Sequence, residues 1–247
     1  MVGKELSVII PVWNEEKVIR RNLGIVCSVL EKTLPGIGFE IIVVDDGSTD
    51  GSVREAGKAA RENRTIKVVK ELRGGKGSVL KKGFSHSRGR LITFLDADLD
   101  LHPAQIKTFL DYMERSTADM VVGSKRHPFS QINYPWRRRF LSGIYQILVR
   151  ALFNLSIKDT QAGLKLFRRE VLEEILPRVL CKKFAFDLEL IVNANHRRFR
   201  IVEAPVKLDW KRVGSRLRLR DIFRIAVDTA AIFYRLRVLR YYNGGRK

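Results

Sequence analysis

Cysteine is nearly absent: Cys27 and Cys181 are the only thiols among 247 residues. Both stand in apolar, helix-like surroundings without the C-x-x-C spacing of a zinc site, and two are too few for a disulfide framework. A small stapled scaffold is therefore excluded, and a reducing compartment fits. Long hydrophobic runs are missing too. No stretch of about eighteen uncharged apolar residues occurs, so no transmembrane helix is expected; the nearest approach, residues 140–157, is broken by Arg150. The opening Met1-Val-Gly-Lys-Glu-Leu6 has no basic region followed by an apolar signal core. His86, His102, His127 and His196 show no ligand spacing, and there is neither an internal repeat nor a low-complexity linker. With a hydrophobic fraction of 45%, the chain reads as one large folded domain over residues 1–247. Acidic residues are the last shortage: 27 Asp and Glu against 47 Lys and Arg leave a net charge of +20. Such an excess implies an anionic partner but does not choose between nucleic acid, an anionic membrane surface and a phosphorylated substrate.

What is present is a repeated unit of short apolar run, polar turn and helix. Its most informative copy is Leu91-Ile-Thr-Phe-Leu-Asp-Ala-Asp-Leu-Asp100. The apolar part is too short for a helix and predicts a buried strand. If the chain leaves the sheet in extended form, Asp96, Asp98 and Asp100 fall on one side and offer hard oxygen ligands to a divalent cation. Leu6-Ser-Val-Ile-Ile-Pro-Val12 predicts a strand ended by Trp13-Asn14. Asn14 is expected to cap the helix that follows, with Glu15 and Glu16 in its first turn. Glu40-Ile-Ile-Val-Val44 runs into Asp45-Asp-Gly-Ser-Thr-Asp-Gly51, and Ile66-Lys-Val-Val69 leads to Arg73-Gly-Gly-Lys-Gly-Ser78. The glycines of that last loop and Lys76 are candidates to cradle a phosphate, although the spacing is not that of a Walker loop. Met120-Val-Val-Gly123 predicts a fifth strand. Strands alternating with helices build a parallel, covered sheet, whose ligands bind beyond the carboxyl ends of the strands. Asp45, Asp46 and the Asp96 cluster all fall there.

The second half changes character. Ser124-Lys-Arg-His127 and Trp136-Arg-Arg-Arg139 bracket a proline-bearing loop ahead of an amphipathic helix expected over residues 137–155. A strand is expected at Phe199-Arg-Ile-Val-Glu203. A basic amphipathic helix is expected over 217–239, with Arg218, Arg220, Arg224, Arg235, Arg237 and Arg240 set among apolar residues. Such a helix suits a lipid headgroup layer.

Three ordered blocks, Ser7-Val-Ile-Ile-Pro-Val-Trp-Asn-Glu15, Ile42-Val-Val-Asp-Asp-Gly-Ser-Thr-Asp50 and Asp96-Ala-Asp98, resemble the signature of glycosyltransferase family 2. Asp159-Thr-Gln-Ala-Gly-Leu-Lys-Leu-Phe-Arg168 and Phe186-Asp-Leu-Glu189 resemble its branch acting on polyprenyl phosphates, which contains dolichyl-phosphate mannose synthases and dolichyl-phosphate glucosyltransferases. The resemblance covers nearly the whole chain. It implies an α/β fold: a single nucleotide-sugar-binding, Rossmann-like GT-A domain with a mostly parallel central sheet and amphipathic interfacial helices. It implies that Pro11, Val12, Glu15, Asp46 and the backbone near Val44 and Asp45 hold the nucleotide; Lys76, read from the glycine loop, is counted with them among the donor-binding candidates. Asp96, Ala97 and Asp98 would meet the donor diphosphate, Asp96 and Asp98 through Mg2+ or Mn2+. Asp100 stands where mannose synthases carry a Gln as third ligand. Arg126, Arg138 and Ser142 match positions near the donor and acceptor phosphates. The segment Lys211-Arg-Val-Gly-Ser-Arg216 resembles a basic loop closing over them, with either Lys211 or Arg212 as the counterpart.

The chemistry agrees with what the resemblance implies. A nucleoside diphosphate leaves poorly until its developing charge is neutralised, and a cation held by carboxylates does that. A phosphate monoester acceptor, with a second pKa of about 6, is largely dianionic at neutral pH. Direct displacement with inversion then needs no dedicated base. The expected donor is GDP-mannose or UDP-glucose, and the expected acceptor dolichyl or another polyprenyl phosphate. A glycolipid or soluble glycan acceptor is the alternative, and would give a base such as Asp187 a purpose. With no membrane span, the protein is expected to be cytoplasmic, bound peripherally to the cytoplasmic face of an anionic membrane or to a separate membrane-anchor protein. No nucleic-acid partner is expected, because the basic residues are spread over apolar-faced helices and no reader motif occurs.

Overall fold

The apolar runs of the first half form strands whose two faces are both covered. In the computed structural model, which describes residues 5–132, 136–182, 185–208 and 219–243 without the side chains of 136–142, 144 and 219–222, β1 (Leu6–Val12), β2 (Phe39–Asp45), β3 (Ile66–Lys70) and β4 (Leu91–Phe94) alternate with α1 (Ile19–Thr33), α2 (Ser52–Glu62) and α3 (Lys76–His86). Then come α4 (Gln105–Ser116), β5 (Met120–Ser124), β6 (Gln131–Ile132) and α5 (Trp136–Phe153). The chain continues through β7 (Lys165–Arg168), α6 (Arg169–Ile175), α7 (Phe186–His196), β8 (Ile201–Pro205), β9 (Lys207–Leu208) and α8 (Leu219–Arg237). A seven-stranded sheet has the order β3-β2-β1-β4-β7-β5-β8, and β6 pairs with β9 beside it. Its pairs are parallel except those of β7, which lies antiparallel between β4 and β5. The carboxyl ends of β1, β2, β4 and β5 therefore share one edge with the amino end of β7.

Alternation along the strands sorts side chains into two cores. Val8 and Ile10 face a cluster with Leu23 and Val26 of α1 and Phe109 of α4. Ile9, Ile42 and Phe94 face a second cluster with Leu80 of α3, Val149 of α5, Leu188 of α7 and Ile232 of α8.

Two local expectations are corrected. Asn14 does not cap α1, which begins at Ile19. It sits at φ 54, a left-handed conformation that Asn tolerates. From there its Oδ1 accepts the Thr49 N–H at 2.9 Å, while its own N–H donates to Ser48 Oγ at 3.0 Å. The side chain ties two loops together, and Glu15 and Glu16 precede the helix. The last strand of the sheet starts at Ile201 rather than Phe199. The Phe199 N–H is engaged at 3.0 Å by the Ala194 carbonyl, with Arg198 at φ 61, closing off the end of α7.

The C-terminal helix is fastened by a buried acid. Glu189, on α7 and wholly buried, accepts the N–H groups of Leu180 and Cys181 at 2.8 and 2.6 Å. It also accepts Arg235 Nη2 of α8 at 2.9 Å and the Tyr242 hydroxyl at 2.5 Å. Arg235, one of the arginines expected on a headgroup-facing helix, is thus turned inward. Removing one partner of a buried pair leaves an uncompensated charge, which costs about 3 kcal/mol or more. Glu189→Gln is expected to lose about that much in urea-induced unfolding. A loss below about 1 kcal/mol would be that of an exposed pair, and would show that this cluster does not fasten the helix.

Candidate active site

Loops from β1, β2, β3, β4 and β5 meet at the carboxyl edge. At the end of β2, Asp45 Oδ2 accepts the N–H groups of Gly47 and Ser48, each at 3.1 Å. Its Oδ1 is buried and has no hydrogen-bond partner. Next to it the Asp46 N–H donates to the Val12 carbonyl at 2.8 Å, and Asp46 Oδ1 accepts the Gly75 N–H at 3.1 Å. The ends of β1 and β2 and the glycine loop before α3 are thereby laced together, with Pro11, Val12 and Val44 on the strands beneath. Glu15 is half-buried beside them, its N–H donating to Ser52 Oγ at 2.7 Å.

The chain does not leave β4 in extended form. It turns at once: the Leu99 N–H reaches the Asp96 carbonyl at 3.2 Å, Leu99 lies at φ 55, and Asp98 Oδ1 accepts the Asp100 N–H at 3.2 Å. Asp is a turn former because its carboxylate can take up nearby backbone N–H groups. Asp96, Asp98 and Asp100 consequently form no cage, and no group of three acids, histidines or cysteines able to hold a metal occurs among the described residues. Asn22 of α1 steadies the turn by donating to the Ala97 carbonyl at 2.8 Å. Asp96 and Asp98 remain two hard oxygen donors at the edge, a set that fits a Mg2+- or Mn2+-like cation completing its shell with diphosphate oxygens and water.

Behind Asp96 lies a chain of alternating charges. Lys76 Nζ is 3.0 Å from Asp96 Oδ1 and 3.7 Å from Asp187 Oδ2. Asp187 Oδ1 in turn accepts Lys165 Nζ at 2.8 Å, and Lys165, at the amino end of β7, also donates to the Ala162 carbonyl at 2.5 Å. Lys165 is 1% exposed. Burial works to lower Lys76, but the Asp187 and Asp96 carboxylates outweigh it and hold the ammonium above its ordinary range. Burial works to raise Asp187, and the attraction of Lys165 and Lys76 overcomes it and holds the carboxyl below its ordinary range. Burial dominates at Lys165 and pulls it down despite Asp187. Gly163 makes this packing possible: a Cβ there would stand 2.0 Å from Asp96 Oδ2.

The glycine loop acts through packing rather than as an open anion nest. The N–H of Gly75 is engaged by Asp46, and that of Gly77 by the Lys182 carbonyl at 3.0 Å. A Cβ on Gly77 would come within 2.6 Å of the Phe186 ring. Of the expected phosphate cradle, the Lys76 ammonium is the group presented to the edge. On the far side, Arg126 follows β5, its guanidinium 3.6 Å from where a Cβ on Gly143 would stand. Asp159 is buried beneath it, accepting the N–H groups of Lys125 and Gln161 at 3.0 Å each. Arg138 and Ser142 lie on α5, their side chains outside the described set, and Lys211 and Arg212 lie outside the described residues. Lys165 has no role in the sequence reading. The available signal was a lysine between Leu164 and Leu166 in a strand otherwise patterned for burial, since a charge at such a position needs a partner.

Residues 7–176 match the family model of glycosyl transferase family 2. The chain is 32% identical over 248 residues to the dolichyl-phosphate beta-glucosyltransferase of Saccharomyces cerevisiae, covering 92% of this chain and 73% of that protein. It is 31% identical over 240 residues to dolichyl-phosphate beta-glucosyltransferase ALG5C of Trichomonas vaginalis, covering 92% and 71%. Identity to glycosyltransferase AglD of Haloferax volcanii is 30% over 214 residues, 86% of this chain but 34% of that longer protein. Glucosyl-3-phosphoglycerate synthase of Mycobacterium tuberculosis, solved with Mn2+, UDP-glucose and phosphoglyceric acid, shares the GT-A fold. It superposes with a TM-score of 0.67 over 99% of this chain and 82% of that one, at 18% identity. The chain belongs to glycosyltransferase family 2, in the branch that includes the dolichyl-phosphate glycosyltransferases.

Proposed function

We propose that the protein transfers glucose from UDP-glucose to dolichyl phosphate or a similar polyprenyl phosphate, with inversion, at the cytoplasmic face of a membrane. The observation that carries this reading is the similarity to named dolichyl-phosphate beta-glucosyltransferases along 92% of the chain. It favours glucose over mannose, between which the sequence motifs do not choose. The donor is α-linked and a β product requires inversion, so one displacement suffices: an acceptor phosphate oxygen bonds to the anomeric carbon as the bond to the UDP β-phosphate breaks.

The residues at the edge suit that reaction. Asp45, with its unpartnered buried oxygen, and Asp46 would receive the nucleoside. Asp96 and Asp98 would hold a Mg2+ or Mn2+ ion, which supplies charge neutralisation to the departing diphosphate. Lys76 adds a second positive charge from the protein side. Arg126, with Arg138, Ser142 and Lys211 or Arg212, is assigned to the acceptor phosphate, guanidinium being suited to bidentate contact. Asp187 is a poor proton acceptor while Lys165 and Lys76 hold it ionised, and a dianionic acceptor has no need of one.

The way to the lipid runs along α8. No helix among the described residues is long and apolar enough to cross a membrane. Instead Phe223, Val227, Tyr234 and Val238 are exposed at 71, 50, 52 and 60%, at spacings that put them on one stripe of the helix and its continuation. Arg224, Arg237 and Arg240 are exposed beside them. Apolar side chains next to arginines are what an anionic headgroup layer accepts.

Radiolabelled UDP-glucose and, separately, GDP-mannose should be offered with a short polyprenyl phosphate. A glucosylated lipid is expected from UDP-glucose alone, lost in EDTA and reduced ~100-fold or more in Asp98→Ala. Product from GDP-mannose, or product unaffected by EDTA, would contradict the assignment. In vesicle flotation, the protein should rise with anionic vesicles at low salt and less at high salt, since exposed charge pairing is screened. Failure to float at either salt would rule out direct membrane binding.

A further inference from the structure

Lys165 and Asp187 have no part in the displacement, yet they form a buried ion pair at the site. We propose that they are positioning residues for Lys76: the Lys165–Asp187 pair fixes where the Lys76 ammonium stands, so that it meets the donor diphosphate, and Asp187 is not a general base. This rests on the reading that the site takes a nucleoside diphosphate sugar.

A lysine carries its charge on a flexible four-carbon stem and has no preferred place without anchors. Lys76 has two, Asp96 at 3.0 Å and Asp187 at 3.7 Å. Asp96 is the one that a cation would claim. Asp187 is then the remaining anchor, and its own position is set by Lys165 at 2.8 Å. Lys165 cannot drift. Its backbone is paired on both sides, with Phe94 of β4 and Val122 of β5, and its carbonyl accepts the buried Thr93 hydroxyl at 2.9 Å. The rigid sheet thus reaches Lys76 through one carboxylate. Charge sharing adds a second effect. Were Lys165 absent, the full negative charge of Asp187 would bear on Lys76 and compete with the diphosphate. With Lys165 present that attraction is divided, so Lys76 is oriented without being captured.

The test uses UDP binding measured by titration calorimetry, with Mg2+ and with EDTA, on the full chain. Asp187→Asn is expected to weaken UDP about tenfold, the size of one charge-assisted hydrogen bond. Lys76→Met should weaken it by a similar factor. The double variant Asp187→Asn with Lys76→Met should be no weaker than Lys76→Met alone, because a residue that acts through another has nothing left to act on. In turnover, Asp187→Asn should raise the KM for UDP-glucose more than it lowers kcat. If Asp187→Asn unfolds because Lys165 loses its counter-charge, Lys165→Met with Asp187→Asn removes the pair as a unit and should show the same tenfold loss with the melting temperature retained. UDP affinity unchanged in Asp187→Asn with turnover abolished would make Asp187 a base and overturn the proposal. So would losses that simply add in the double variant. Binding needs no lipid, so the result stands even where the polyprenyl acceptor is wrong, and that reading fails separately in the transfer assay.

Discussion

A positive charge inside a sheet has to be matched, and much of the carboxyl edge is arranged to match that of Lys165. Its ammonium is nearly inaccessible, in surroundings where an uncompensated ion would cost several kcal/mol. Asp187 answers it directly, Lys76 answers the other face of Asp187, and Asp96 answers Lys76. Two lysines and two aspartates balance within this series, despite the strong positive excess over the whole chain. Exposure rises along the series, from the lysine in the sheet to the carboxylate at the open edge. The outermost member is the one placed to exchange its protein partner for a ligand.

Glu189 does for the second layer what Lys165 does for the sheet. Through its two oxygens it joins Arg235 and Tyr242 at the C-terminal end to the backbone at Leu180 and Cys181. One residue further on, the Lys182 carbonyl receives the Gly77 N–H, next to Lys76. The helix assigned to the membrane and the loop assigned to the donor are thus held by adjacent links of one hydrogen-bonded path.

Much of this was legible in the sequence, for reasons that differ by residue. Strands with both faces covered are continuous apolar runs, so β1, β2, β4 and β5 could be read directly, and the acids were legible as standing at the carboxyl ends of the strands. Turn chemistry was harder. Asp96, Asp98 and Asp100 alternate in sequence, but alternation brings side chains together only in an extended chain, and Asp98 instead closes a turn on Asp100. The same competition moved Asn14 from a helix cap to a tie between loops. The glycines at 75 and 77 suggested a phosphate nest, whereas their N–H groups are engaged by Asp46 and Lys182. Asp187 was noticed and Lys165 was not, because a pairing across 22 residues between a strand and a helix leaves no local periodicity to read.

Gly163 carries a consequence of a different kind. The Asp96 carboxylate occupies the space where any other residue would begin its side chain, so that position admits glycine and nothing larger while Asp96 stays where it is. A methyl group at 163 would thus act on the outermost carboxylate from behind, turning it out of its place without replacing any charged residue.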